Sequence, residues 1–191
     1  MIVRKMHAAF MLFLVILISV FIMIIPTFIT KGVSRVSTNK EINLPFILNG
    51  KKNIELVFFG YAGCSDICTP RLYSIDKFYK TLNSKLKSKI EVKFLDISVP
   101  YDETLPSRFA QFFNPDFNGV YLPKDVLRDY TKVFDVFFSK SLLDDTEYDH
   151  TANLYLLKRD ANNKTLRYVY NAYPYDFKQM TLDIEELVNE K

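Results

Sequence analysis

From residue 54 onwards, apolar runs alternate with segments whose apolar residues recur at helical spacing. Ile54–Phe59 (IELVFF) is apolar on both faces and predicts a central strand that is covered on both sides. Ile90–Ile97 (IEVKFLDI) predicts a second strand. Between them, residues three or four apart predict one long helix: Leu72, Ile75, Phe78, Leu82 and Leu86. This part of the chain therefore predicts a strand, a loop, a helix and another strand.

The remainder of the chain continues the alternation of the two types of element. A short helix near Pro106, a weak strand over Phe117–Leu122 and a helix opened by Pro123 are predicted first. Two strands joined by a turn and a final helix are predicted next: Thr151–Leu157, the turn Asp160–Lys164, Thr165–Tyr170, and the helix from about Asp176. The order βαβα(β)αββα places helices on a mixed sheet, and the hairpin before the last helix fits an α/β, thioredoxin-like fold.

The first thirty residues have a different pattern. Ala8–Ile29 is almost unbroken apolar sequence, and such a run is long enough to cross about 30 Å of hydrocarbon as a helix. A cleaved signal peptide fits less well, because its apolar region normally has only about 7–15 residues and no A-x-A-like cleavage site follows. We therefore expect an N-terminal transmembrane anchor over residues 1–30, a polar tether over 31–47 and one domain over 48–191.

Composition restricts the classes of function. Apolar types make up 49% of the residues and charged types 25%, as in an ordinary folded chain. Without Arg4 and Lys5 of the anchor, 23 basic residues face 22 acidic ones, so the charge gives no reason to expect nucleic acid as a partner. Basic residues flank the apolar run on both sides, so their count does not decide the orientation of the anchor.

The two cysteines of the chain lie four positions apart in GYAGCSDICTP, directly after the first predicted strand. A structural disulfide between Cys64 and Cys68 would close so short a loop that it would add only about 2 kcal/mol. Two inert buried thiols conflict with the polar Ser65 and Asp66 between them. At a strand-to-helix turn, helix N-terminal amides stabilise thiolates. We therefore expect a functional pair, for redox exchange or for metal binding.

One histidine of the predicted domain can join this pair. His150 directly precedes the predicted strand Thr151–Leu157, whose start faces the cysteine loop in a thioredoxin-like sheet. Two thiolates and one imidazole form a soft, low-coordinate set that suits copper, above all Cu(I). Structural zinc usually has four protein ligands, so a zinc site would need a carboxylate such as Asp66 or Asp149 as well.

These segments resemble the Sco/SenC family of copper-binding, thioredoxin-like proteins that help to assemble cytochrome c oxidase. The resemblance covers about residues 40–190 and is carried by VFFGYAGCSDIC and by EYDHTANLYLL. It implies that Cys64, Cys68 and His150 are the metal ligands, that Asp66 is the motif's aspartate, and that Asp149 orients the histidine or its loop. The chain departs from the family's common pattern at Ala62-Gly63 and at Ser65.

The resemblance also implies a cellular role. The expected protein is a single-pass protein of the inner membrane whose soluble domain faces the periplasm. It would bind copper, as Cu(I) and also as Cu(II), and help to metallate subunit II of cytochrome c oxidase. A thiol reductant of thioredoxin type is an implied partner, because Cu(I) loading requires the dithiol form of the cysteines.

An enzyme is the alternative. Cys64 and Cys68 would then be the redox pair of a thiol-disulfide oxidoreductase that keeps a partner's cysteines reduced for metallation. Enzymes of thioredoxin type usually carry C-x-x-C and a cis-proline before the strand that faces the disulfide. This chain has C-x-x-x-C and Asp149-His150 at those places. The sequence therefore favours copper binding, with redox exchange as the second hypothesis.

Overall fold

The computed structural model describes residues 7, 10–21, 34–44, 52–142, 144, 147–159 and 163–190. The chain divides into two compact units, residues 1–33 and 34–191. In the first unit a helix, α1, is described over residues 10–21. Among the described residues, no helix combines the length and the apolar character needed to cross a membrane. Much of the predicted anchor, residues 1–6, 8, 9 and 22–30, lies outside the described part.

The second unit contains the strands and helices of an α/β domain. In chain order they are β1 (Arg35–Ile42), β2 (Ile54–Gly60), α2 (Cys68–Thr81), α3 (Ser84–Lys87), β3 (Ile90–Asp96), α4 (Leu105–Phe113), β4 (Phe117–Val120), α5 (Lys124–Val133), β5 (Phe138–Lys140), β6 (Tyr148–His150), β7 (Leu154–Arg159), β8 (Lys164–Tyr170) and α6 (Phe177–Asn189). The predicted α/β class is confirmed.

Six of the strands form one mixed sheet in the order β1-β8-β7-β2-β3-β4. The pairs β2/β3 and β3/β4 are parallel, whereas β2/β7, β7/β8 and β1/β8 are antiparallel. Gly60 at the end of β2 lies opposite Asp96 at the end of β3, and Leu154 at the start of β7 lies opposite Phe58. The segment after β2 and the segment before β7 therefore meet at the same end of the sheet, where β2 and β3 end and β7 begins.

The core lies on both faces of β2, all seven residues of which are buried. Successive side chains of a strand point to opposite faces. On one face Phe58 contacts Phe94, whose ring contacts Phe109 of α4. On the other face, Phe59 packs against Phe134 at the end of α5, with 5.3 Å between ring centroids. The run IELVFF is apolar on both faces because helices cover both.

The long helix predicted from Leu72 to Leu86 is two helices. Leu82 is extended, with φ −68° and ψ 141°, and ends α2. Asn83 then begins α3, where its side-chain oxygen accepts a hydrogen bond from the Leu86 backbone at 2.9 Å. Both Leu82 and Leu86 are buried, so the helical spacing of apolar residues continues through a break in the helix.

The prediction that residues 31–47 form an aperiodic tether is wrong for residues 35–42, which form β1 at the edge of the sheet. Of this strand only Ile42 is buried, and the remaining residues are wholly or partly exposed to solvent. Its attachment comes from antiparallel backbone pairing with β8. A polar edge strand of this kind leaves little hydrophobic pattern in the sequence. Residues 31–33 and 45–47 lie outside the described part.

A second correction concerns the segment before β7. Residues 138–140 and 148–150 form a separate two-stranded sheet, β5/β6, which the sequence pattern did not predict. His150 is the last residue of β6, and β7 begins only at Leu154 rather than at Thr151. Each strand of this sheet has three residues, too few for an alternating pattern to be recognised.

Candidate metal centre

The cysteine loop connects β2 to α2 at the end of the sheet where β2 and β3 end. Its turn is closed by the Cys64 backbone N–H, which donates to the Tyr61 carbonyl at 3.3 Å. Gly63 has φ +100°, a left-handed conformation that glycine adopts without steric cost. The Thr69 backbone N–H and hydroxyl both donate to the Cys64 carbonyl, at 3.3 and 2.7 Å. These bonds fix Cys64 one turn before the start of α2.

The two sulfurs lie side by side as free thiols. Cys68 is the first residue of α2, and its backbone N–H donates to Cys64 Sγ at 3.2 Å. Both residues are buried, at 2% and 0% exposure. The predicted place of the pair, at a strand-to-helix turn with helix N-terminal amides beside a sulfur, is confirmed.

Gly60 makes room for the second sulfur. A Cβ atom at this position would lie 2.6 Å from Cys68 Sγ and 3.1 Å from the ring of Phe94. Carbon and sulfur cannot approach so closely without displacement, so a side chain here would move Cys68 away from β2. Glycine at position 60 therefore leaves the space that Cys68 Sγ occupies.

The hydrogen bonds around the pair shift the pKa values of the two thiols in opposite directions. The pKa of Cys64 is held well below its usual range, chiefly by the hydrogen bond from the Cys68 side chain and further by the one to His150. The same bond between the cysteines, together with burial, raises the pKa of Cys68. Cys64 is therefore the more acidic thiol of the pair and Cys68 the less acidic one.

His150 approaches the sulfurs from β6. Its Nε2 lies 3.4 Å from Cys68 Sγ, and its Nδ1 lies 3.0 Å from the Thr151 carbonyl oxygen. A carbonyl only accepts hydrogen bonds, so Nδ1 carries a proton and donates to Thr151, and Nε2 is the ring nitrogen that faces the sulfurs. A histidine that ligates a metal usually has its far ring nitrogen held by a carbonyl or a carboxylate in this way.

The three side chains therefore converge. One ligand atom from each of Cys64, Cys68 and His150 lies within 4.8 Å of the others. Two sulfurs and one nitrogen at this spacing fit a soft ion with few ligands, so the donor set agrees with the copper predicted from the sequence. The histidine's predicted approach from the segment before β7 is confirmed, although this segment is a strand of the small sheet.

The two aspartates of the predicted site lie at its rim. Asp66 and Asp149 are both exposed and line a cavity of about 350 Å³ that Cys64 also lines. Asp66 accepts a hydrogen bond from the Ser65 hydroxyl at 2.8 Å. The observed partner of His150 Nδ1 is the Thr151 carbonyl, so the orienting role expected of Asp149 stays a prediction.

Asp96 is a residue of the site that sequence reasoning missed. It is wholly buried at the end of β3, and burial raises its pKa. One carboxylate oxygen accepts the Ala62 backbone N–H at 2.9 Å, and the other accepts the Ser98 backbone N–H and hydroxyl at 2.8 and 2.6 Å. Asp96 therefore holds the start of the cysteine loop. A carboxylate at the end of the apolar run Ile90–Ile97 was the available signal.

Comparisons with known proteins agree with this geometry. The family model described as SCO1/SenC matches residues 48–189. An SCO2-like protein of Rickettsia conorii is 30% identical over 127 residues, which are 63% of this chain and 60% of the relative. The match thus spans less than two thirds of the relative's length.

Two solved structures show the fold. Bradyrhizobium japonicum ScoI, with copper bound, has a TM-score of 0.58 at 20% identity, covering 80% of this chain and 99% of that one. BsSco, a Sco-family cytochrome c oxidase assembly protein with an identified disulfide switch, has a TM-score of 0.57 at 15% identity, covering 73% and 82%. Both confirm the predicted thioredoxin-like fold. Because the family model matches most of its length, the chain belongs to the SCO1/SenC family.

Proposed function

We propose that this chain is a membrane-tethered copper protein that holds the ion on Cys64, Cys68 and His150 and passes it to subunit II of cytochrome c oxidase. One observation carries the proposal. The three ligand atoms lie within 4.8 Å of one another, and His150 Nε2 lies 3.4 Å from Cys68 Sγ. Related proteins support it, since Bradyrhizobium japonicum ScoI has been solved with copper bound.

Copper suits the donor set better than zinc. Two sulfurs and one imidazole nitrogen complete a low-coordinate Cu(I) site, whereas structural zinc takes four protein ligands. The two carboxylates that would supply a fourth ligand, Asp66 and Asp149, are exposed at the rim and are not part of the three-residue group. We propose Cu(I) as the principal form and Cu(II) as the second.

Transfer of the ion would proceed by ligand exchange with the receiving subunit. Loading with Cu(I) requires the dithiol, which is the form in which both cysteines occur here. In an oxidising compartment the pair would otherwise become a disulfide, with loss of two electrons and two protons. A reductant of thioredoxin type that returns them is therefore part of the proposal.

Thiol-disulfide exchange is the second candidate function. The observation that favours it is the hydrogen bond from the Cys68 backbone N–H to Cys64 Sγ at 3.2 Å, beside which the pKa of Cys64 is lowered and that of Cys68 is raised. A thiolate attacks a partner's disulfide, and the second cysteine then resolves the mixed disulfide. BsSco, in which a disulfide switch has been identified, supports redox exchange as a function of proteins with this fold.

Replacing His150 with alanine separates the two functions. The Cu(I) affinity of the reduced protein should fall by more than about a hundredfold, because a direct ligand should contribute at least as much as the outer groups whose loss costs about 10–100-fold. The rate of thiol-disulfide exchange should fall by less than about threefold, because exchange needs only an attacking thiolate, a leaving thiol and access. Competition with a Cu(I) chelator and a dithiol-disulfide assay measure the two quantities.

The chain offers a matched control, His7, which lies in the other unit. His7→Ala should leave both measurements unchanged. If His150→Ala retains the copper affinity of the wild type but loses exchange activity, copper binding by three ligands is wrong and the oxidoreductase is the better description.

The tether and its orientation are also proposed. Residues 1–30 would remain attached as a single-pass anchor in the inner membrane, with the domain in the periplasm, because the apolar run Ala8–Ile29 is long enough to span the bilayer. Protease added to intact spheroplasts should digest the domain, while a cytoplasmic marker protein stays protected. Protection of the domain, or a mature protein that begins near residue 31, would contradict this part of the proposal.

A further inference from the structure

Tyr61 contacts both the start of the cysteine loop and the histidine strand. Its backbone carbonyl accepts the Cys64 N–H at 3.3 Å and so closes the turn that carries the first sulfur. Its side chain is buried, at 4% exposure. The residue therefore lies between the cysteine loop and the strand that carries His150.

The side chain of Tyr61 makes three contacts with β6 and the residue before it. Its hydroxyl donates a hydrogen bond to the carboxylate of Glu147. Its ring lies 5.3 Å from the ring of Tyr148, and it meets the ring of His150 edge-on, with centroids 6.0 Å apart and an interplanar angle of 83°. Tyr61 thus contacts Glu147, Tyr148 and His150, three of the four residues in the segment that ends in the metal ligand.

Glu147 is itself held in the hairpin. Its carbonyl accepts the Ser141 backbone N–H at 2.9 Å, across the two strands, and its own N–H donates to the Asp144 carbonyl at 3.1 Å. The position of the Glu147 carboxylate is therefore coupled to the position of the hairpin backbone. His150 follows three residues later, at the end of β6.

The small sheet needs such an attachment. His150 belongs to a sheet of two strands with three residues each, separate from the six-stranded sheet. A hairpin this short is held by its contacts with the rest of the domain. Here these include the packing of Phe138 and Tyr148 against the core and the bond between Tyr61 and Glu147. If the hairpin left the cysteine loop in the metal-free protein, part of the binding free energy would be used to bring His150 back.

We propose that Tyr61 is a positioning residue of the copper centre, whose hydroxyl bond to Glu147 keeps His150 beside the two sulfurs. This inference rests on the proposed copper-binding function. Tyr61 does not bind the ion; it acts through His150 by fixing the strand that carries it. The hydroxyl, rather than the ring alone, supplies the directional part of the attachment.

The test uses the reduced full-length protein and competition with a Cu(I) chelator. Tyr61→Phe retains the ring and removes the hydroxyl, and we expect about tenfold weaker Cu(I) binding, within the range known for groups that orient a ligand. Glu147→Ala, which removes the acceptor, should act in the same direction. The double variant should bind no more weakly than the weaker single variant, because both changes break one bond.

Two further variants distinguish positioning from a general loss of stability. In the His150→Ala background, Tyr61→Phe should cause no additional loss of Cu(I) affinity, since the residue acts only through the histidine. Tyr168→Phe is the matched control, because its hydroxyl donates to the Glu186 carboxylate at 2.8 Å between β8 and α6. That variant should leave Cu(I) affinity unchanged, whatever its effect on thermal unfolding.

The outcomes are distinct. Wild-type affinity in Tyr61→Phe would overturn the inference, and so would an equal additional loss in the His150→Ala background. Failure of the wild-type protein to bind Cu(I) at all would overturn the proposed function together with this inference. A tenfold loss in Tyr61→Phe that disappears in the His150→Ala background would support it.

Discussion

Replacing Cys64 and Cys68 together with serine should abolish copper binding, with a loss of Cu(I) affinity of more than about a thousandfold, or about 4 kcal/mol. Serine has nearly the same shape as cysteine but stays protonated at neutral pH, and its oxygen is a poor ligand for a soft ion. The variant would keep only His150 of the three ligands. Chelator competition on the reduced protein, with far-ultraviolet circular dichroism to confirm the fold, measures the effect.

A change between the two cysteines provides the control for this variant. Ser65 is exposed, and its hydroxyl bonds to Asp66 rather than to a sulfur. Ser65→Ala should therefore bind copper within about threefold of the wild type, since both thiols remain. Tight binding by the double serine variant would mean that the ion is held elsewhere, and the centre described here would be wrong.

Gly119→Ala should cause the largest loss of stability from a single methyl group. A Cβ atom at Gly119 would lie 1.8 Å from the Pro106 carbonyl oxygen and 2.4 Å from the Ser107 nitrogen. These are backbone atoms of α4, so either the helix or β4 has to move. We expect a cost of about 3 kcal/mol or more, the upper range for overpacking. For a chain of this length, that lowers the melting temperature by about 10 °C.

The neighbouring residue gives the comparison. Asn118 lies on the same strand with its side chain on the opposite face, exposed to solvent. Asn118→Ala should change the free energy of unfolding by less than about 1 kcal/mol, as exposed substitutions usually do. Equal melting temperatures for Gly119→Ala and the wild type would show that α4 does not pack on β4 this closely.

The parts of the fold predicted from the sequence are those whose signal is local. β2 and β3 are mostly apolar runs, and such runs mark strands that are buried on both faces. The cysteine pair was found because its type, spacing and place after β2 are all local features. His150 was placed correctly because the topology of the predicted fold brings the segment before β7 to the edge where β2 ends.

The parts that were missed depend on contacts between residues distant in the chain. β1 is held by backbone bonds to β8, which leave no pattern in its own side chains. Lys164 was assigned to a turn, yet it is wholly buried at the start of β8, where it pairs with the Glu55 carboxylate. A buried ion pair between residues more than one hundred positions apart cannot be recognised from either residue alone.

The site shows the same division. Its ligands belong to residue types that bind metals, so they could be selected from the sequence. The groups that hold them could not, because a tyrosine and a glutamate are common surface residues until the fold brings them together. Tyr61 and Glu147 lie 86 positions apart, and Asp96 reaches the Ala62 backbone from a neighbouring strand.

X-ray absorption at the copper edge of the Cu(I)-loaded protein tests the three-ligand centre most directly, because it reports the atoms bonded to the ion. We expect two sulfur neighbours and one nitrogen neighbour in the wild type, as the convergence of Cys64, Cys68 and His150 requires. The nitrogen should disappear in His150→Ala while both sulfurs remain. A spectrum without the nitrogen in the wild type, or one unchanged in His150→Ala, would contradict a copper centre built from two cysteines and this histidine.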